Sequence, residues 1–234
     1  MMTLRNLRNA LIVMGAFLAL IWILQVFNAA DHYQLDQHYG ILPRNVGRLS
    51  DIFTAPFLHV SWAHIEGNSV PLFVLGVAAA YRGLWRFLGL SLIVAIVSGL
   101  TVWFFEGGNI VTVGASGLIF GYFGYVLVRG IFDRNWVDIL IGLLAGAMYY
   151  SILQVAIPGT PGVSWLGHIG GLVGGVLAGY LLRAPRGARP VREPAVRKPV
   201  AGPPRSASGP AASPTPGGSQ SADDLLRDLK NMGF

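Results

Sequence analysis

The chain has 234 residues, of which 53% are hydrophobic and 12% charged, with a net charge of +6 and a mean hydropathy of +0.55. A soluble domain carries about 25% charged residues, so this composition excludes an ordinary water-soluble globular protein and indicates the membrane class. The absence of cysteine excludes a disulfide framework, a thiolate metal site and a cysteine nucleophile.

Uncharged stretches run from Asn9 to Ala30, Phe87 to Phe105, Gly107 to Val128 and Ile139 to Leu182, with a shorter one from Gly67 to Tyr81. A helix needs about 20 apolar residues to cross the hydrocarbon core. These stretches predict six spans, near 10–30, 63–81, 87–105, 114–131, 137–157 and 165–183. The first follows Arg5 and Arg8. It is too long for a signal-peptide core and precedes no small-x-small cleavage site, so it reads as a retained anchor. A long connection follows, rich in both acids and arginines, and predicts a structured external element. Span 2 enters through His64, Glu66 and Asn68, and Pro158-Gly159-Thr160-Pro161-Gly162 divides the last apolar stretch into two spans.

Arginines fix the orientation. Arg5 and Arg8 precede span 1, Arg82 and Arg86 lie between spans 2 and 3, and Arg129 and Arg134 between spans 4 and 5. Arg183, Arg186 and Arg189 follow span 6, whereas the turns after spans 3 and 5 contain no Lys or Arg. The positive-inside rule therefore predicts cytoplasmic termini. Arg44 and Arg48, in the connection after span 1, are the exception.

The predicted organisation is a membrane domain over 1–183, a disordered basic tail over 184–220 and a short amphipathic helix over 221–234. The tail is rich in Pro, Ala, Gly, Ser and Arg and buries too little apolar surface to offset its ordering entropy. Its arginines would be drawn to anionic lipid, or serve only as topology and solubility determinants. In the last segment Ser221 suits an N-cap, with Leu225, Leu229 and Met232 on one face. Docking on an unknown protein, lying on the membrane and fraying all remain open for it. No nucleic-acid partner is expected.

Two polar residues at the outer ends of apolar spans carry the chemistry. Ser116, in Gly114-Ala115-Ser116-Gly117, falls in the first turn of span 4, where unpaired backbone N–H groups and the helix dipole favour a developing oxyanion. The packing alternative is a serine among close-contact glycines. His168, in Gly167-His168-Ile169-Gly170-Gly171, lies at a similar depth in span 6, above a stripe at Gly171, Gly175 and Gly179 on which span 4 could pack. An imidazole is suited to accept a serine proton near neutral pH. His64 and Asn68, four residues apart, share one helical face and could aim donors at an oxyanion. A metal site built from His59, His64 and His168 is disfavoured, because no carboxylate or cysteine completes it with usual spacing.

Together, His59-x4-His64-x3-Asn68, GASG around Ser116 and a glycine-rich final span opening with His168 resemble the rhomboid family of intramembrane serine proteases. The resemblance covers roughly residues 10–183. It implies an all-α polytopic six-helix bundle with a water-filled cavity open to the outside, cutting transmembrane segments of single-span substrates near their outer ends. It implies Ser116 as nucleophile, His168 as general base, and an oxyanion hole from His64, Asn68 and the Ser116 backbone N–H, with no cofactor. His59 would be a structural residue of the external loop, Gly114 and Gly117 would flank the serine, and Gly171 and Gly175 would be close-packing positions. The six-span plan suits a bacterial plasma membrane.

Two departures from the family stand out. The Trp-Arg pair common in its external loop is replaced by Gly47-Arg48-Leu49-Ser50-Asp51-Ile52, so loop anchoring must differ. A tyrosine common one turn after the serine is Phe120, which can stack on the histidine but supplies no hydroxyl. Glu66 either faces solvent or raises the pKa of a nearby imidazole. The main rival is a non-catalytic relative that holds membrane clients, though such relatives typically lack the serine or histidine. A transporter with a His64–His168 relay needs titratable groups through the full depth, and the inner halves of spans 4 and 6 read as lacking them.

Overall fold

The structure, a computed structural model, describes residues 4–150 and 163–183. The expected tail, the C-terminal helix, the Pro158–Gly162 break and the end of span 5 lie outside the described residues. Among the described residues, seven α-helices follow one another: α1 (Leu4–Ala30), α2 (Gln34–Tyr39), α3 (Trp62–Ala80), α4 (Leu84–Phe105), α5 (Ser116–Asp133), α6 (Trp136–Tyr149) and α7 (Trp165–Leu181). Among the described residues there is no strand, only an isolated antiparallel bridge between Ile41 and Thr112. Among the described residues two helices, α1 and α4, are long and apolar enough to cross a membrane by length and composition, and α6 and α7 are shorter apolar helices.

Apolar side chains cover the outside as well as the inside. Leu11, Ile12, Ile23, Val26 and Phe27 of α1 and Leu88, Leu92 and Phe104 of α4 are exposed, while Met14, Ile21, Leu90 and Val94 on the same helices are buried. A helix that is apolar all round belongs in a large core or a bilayer. The inner contacts are close because the residues there are small. α7 lies against both α4 and α5, with Gly171 on the Gly117 carbonyl and Gly175 on the Gly121 carbonyl. On the other side of the bundle α1 packs against α3 where Met14 fills the space left by Gly76, and Trp22 Nε1 donates to Ser69 Oγ (3.0 Å).

The connection between α1 and α3 is structured. It turns through 3-10 helices at Val46–Phe53 and Ala55–Phe57. Arg48 Nε donates to Asp51 Oδ2 (2.6 Å) and its Nη2 to the Gly40 carbonyl (2.7 Å). Ile52 sits on Gly99 of α4, where any Cβ would lie 2.5 Å from the Ile52 Cβ. The Arg44 N–H donates to the Trp103 carbonyl (3.0 Å), and Trp103 Nε1 donates to the Asn45 carbonyl (3.1 Å). Arg48 and Ile52 therefore anchor the loop in place of a Trp-Arg pair. At its two ends, Asn28 Nδ2 donates to Asp36 Oδ1 (2.8 Å) and to the His59 carbonyl (3.4 Å).

One expectation needs correcting at the opposite end. Arg129 is not a loop residue: it lies within α5 and is only 2% exposed. Its Nη1 donates to the Ala78 carbonyl (2.8 Å), and its Nη2 donates to Asp138 Oδ1 (2.9 Å) and the Tyr81 hydroxyl (3.1 Å). Asp138, 1% exposed, also accepts from the Tyr81 hydroxyl and Arg82. The inner half of span 4 thus does hold ionisable groups, Arg129 together with the buried Tyr122 and Tyr125. The Arg129 group is an ion-paired junction of α3, α5 and α6, which ties helices together. Hydropathy missed it because each charge is hidden by another.

A buried charge left without its partner is destabilising by about 3–5 kcal/mol. Asp138→Ala should lower stability by that order, read as a fall in the thermal or denaturant midpoint of the detergent-solubilised protein. An unchanged midpoint would show that the junction contributes nothing.

Candidate active site

Ser116 is the first residue of α5, and the turn before it is built around Gly114. Gly114 has φ +132°, a conformation that strongly favours glycine, and a Cβ there would lie 2.8 Å from His64 Cε1. The turn is pinned to the α1–α3 connection by two bonds. The Gly114 N–H donates to the Ala55 carbonyl (2.9 Å), and the Ala115 N–H donates to His59 Nε2 (3.4 Å). As a first-turn group, the Ser116 N–H has no acceptor within its own helix.

His168 lies in the first turn of α7, 4% exposed. Phe120, one turn after Ser116, stacks on its ring with centroids 4.3 Å apart and planes 11° apart. Below the pair, Gly171 rests on the backbone of Gly117. The α5–α7 contact therefore sets the two helices at backbone-to-backbone distance at the level of the serine and histidine.

α3 contributes the third wall. Ser61 caps it, accepting from the His64 N–H (3.1 Å). His64 and Asn68, on successive turns, line the same cavity as Ser116 and His168. That cavity has a volume of about 690 Å³, within the range usual for ligand sites. Gly114, Gly117 and Phe120 also line it, whereas His59 and Gly171 lie behind the wall. Glu66 is exposed and takes no part in the lining.

His59 is fully buried, edge-on to His64 with ring centroids 5.0 Å apart. Burial first, and then the neighbouring His64 imidazole, push its pKa down from the ordinary 6.5 to about 3. It is neutral at physiological pH, which is the form that can accept from Ala115. Among the described residues, no three His, Asp or Glu side chains group as metal ligands. Three polar residues around the cavity had no motif to mark them: Ser98 of α4, Glu106 at its end and Ser164 before α7. They become visible only when the ends of α4 and α7 are brought together.

The fold and cavity define a helical membrane protein with a serine, two histidines and an asparagine lining one recess. The Rhomboid domain model matches residues 46–185, and the chain belongs to the rhomboid family. It is 39% identical over 192 residues to an uncharacterized protein of Mycobacterium tuberculosis, covering 77% of this chain and 79% of that one. It is 37% identical over 186 residues to an uncharacterized protein of Mycobacterium leprae, covering 76% and 73%. The putative rhomboid protease YdcA of Bacillus subtilis is 29% identical over 136 residues, covering 56% of this chain and 65% of that one.

The depressed His59 pKa has a definite sign. Unfolded His59 takes up a proton below 6.5 and folded His59 does not until about 3, so stability falls as pH drops through that window. Between pH 6.5 and pH 5 the loss attributable to this group approaches about 2 kcal/mol. Denaturant unfolding of wild type and His59→Gln at the two pH values checks this. Equal pH dependence in both would remove His59 as the cause.

Proposed function

We propose that the protein is an intramembrane serine endopeptidase that cuts transmembrane segments of single-span proteins with a Ser116–His168 dyad. The observation that carries this is the shared cavity. Ser116, His168, His64 and Asn68 come from three helices and line one recess, and Phe120 holds the His168 ring flat. Family membership supports the same reaction class.

In this reading Ser116 Oγ attacks the scissile carbonyl carbon while His168 takes the hydroxyl proton. The tetrahedral oxyanion accepts from the Ser116 backbone N–H, the Asn68 amide and the His64 imidazole N–H. Collapse breaks the C–N bond, and His168 returns its proton to the leaving amine. Water, deprotonated by His168, then hydrolyses the acyl-enzyme. No cofactor is required. The peptide bond must leave its helix to be reached, because backbone pairing inside a transmembrane segment hides the carbonyl.

Residues 1–183 act as the protease domain in this reading, with α1 and α3–α7 as its six spans. The arginine distribution supports cytoplasmic termini and a site open to the extracytoplasmic side of a bacterial plasma membrane. The test is cleavage of a single-span model substrate by the full chain in liposomes, beside Ser116→Ala and His168→Ala. Each variant should lose about 10³-fold or more in rate. Folded wild type that cleaves nothing and only binds membrane clients would replace the protease reading with client holding. Cleavage persisting in Ser116→Ala would remove the nucleophile assignment.

A further inference from the structure

The first turn of α7 is held by two side chains that both come from α4. Glu106 ends α4: its N–H donates to the Val102 carbonyl (2.9 Å), and its side chain projects beyond the helix. There its Oε2 accepts from the Ser164 hydroxyl at 2.5 Å. Ser164 is the N-cap of α7. Its hydroxyl oxygen accepts from the Gly167 N–H (3.2 Å), and its carbonyl accepts from the His168 N–H (3.3 Å). Two turns earlier on α4, the Ser98 hydroxyl donates to the Gly167 carbonyl (2.7 Å). Gly167 is thus gripped at its N–H through Ser164 and Glu106, and at its carbonyl by Ser98. The next residue is His168.

A capping serine that donates to a carboxylate makes a charge-assisted bond, which is shorter and stronger than a neutral one. Such a donor is also polarised toward its own role as acceptor. Capping acids usually come from the third position of the same helix. Here that position is Gly167, which carries no acid and where a Cβ would press on the Val102 side chain at 3.2 Å. The acid is supplied by another helix, and cap and tether become one interaction.

We propose that Glu106, acting through Ser164 and opposed by Ser98, is a positioning residue. It sets the rotation and depth of the first turn of α7, and through them the aim of the His168 ring. The catalytic consequence rests on the protease reading above, whereas the mechanical one does not.

The test uses the full chain in liposomes as wild type, Glu106→Gln, Glu106→Ala and Ser164→Ala. Three readouts are taken: kcat and KM on a single-span substrate, the rate of fluorophosphonate labelling of Ser116, and amide hydrogen exchange across residues 164–171. Gln keeps an acceptor oxygen and should stay within about threefold of wild type. The two alanine variants should lose about 10- to 100-fold in kcat with KM within about twofold, because misplacing a reacting group costs rate rather than binding. Exchange at Gly167 and His168 should quicken about tenfold in Glu106→Ala and not in Glu106→Gln. Wild-type kcat in Glu106→Ala, a change in KM alone, Gln no better than Ala, or unchanged exchange would each overturn the proposal. Wild type that neither cleaves nor labels, yet shows the exchange difference, would sink the protease reading and leave the tether standing.

Discussion

The contact on which the rest of the site depends is between two backbones. Gly171 and Gly175 of α7 lie on the carbonyls of Gly117 and Gly121 of α5, where a single added methyl group would strike main-chain oxygen. Lipid chains are as apolar as the helices they surround, so no hydrophobic force presses helices together within a bilayer. Close packing supplies the attraction instead, and it is strongest where small residues let main chains touch. The same contact decides where Ser116 and His168 lie. Each sits in the first turn of its helix, just above the glycines that touch. Moving the helices apart by one side chain would draw Ser116 and His168 apart with them.

Glycine contacts bring helices together but leave them free to slide and rotate. Polar groups at the two ends remove that freedom in different ways. At the end bearing Ser116, bonds that engage the backbone hold the helix starts: the Ala115 N–H to His59, the Gly114 N–H to Ala55, and the Ser98 hydroxyl to the Gly167 carbonyl. At the other end Arg129, Arg82 and Asp138 form an ionic junction with Tyr81. Charges can be held in such a place only where each is matched, as Asp138 is by Arg129 and Arg82.

The parts of this arrangement that were legible in the sequence are those with a period or a spacing. Apolar runs placed helix starts near 63, 114 and 165, and the helices begin at Trp62, Ser116 and Trp165. The spacing of His64 and Asn68 put both on one face, and both line the cavity with Ser116. The family was legible for the same reason, since its motifs are local patterns. What escaped was non-local. Arg129 looked like a loop arginine because a positive charge near the end of an apolar run normally marks a boundary. Its partners come from residues as distant in the chain as Tyr81, with Asp138 nearer by. Glu106 and Ser164 are separated by 58 positions, and no periodicity links them.

In the proposed reading, a Ser116–His168 dyad that works without a third, acidic residue has a physical logic. In water-exposed serine proteases a buried carboxylate orients the histidine and steadies its charged form. At the edge of a bilayer, a carboxylate committed to that place would carry a desolvation cost even while the histidine is neutral. Orientation can be supplied without charge. The phenyl ring of Phe120 lies 4.3 Å from the His168 ring and nearly parallel to it, which fixes the plane of the imidazole through dispersion and shape. Glu106, a carboxylate near this helix end, holds the backbone through Ser164. In the proposed reading, acidic restraint is moved from the His168 ring to the helix that carries it, where the charge can remain at the rim of the cavity. Within such a design, the aim of the histidine is a property of the helix end, and the ring inherits it.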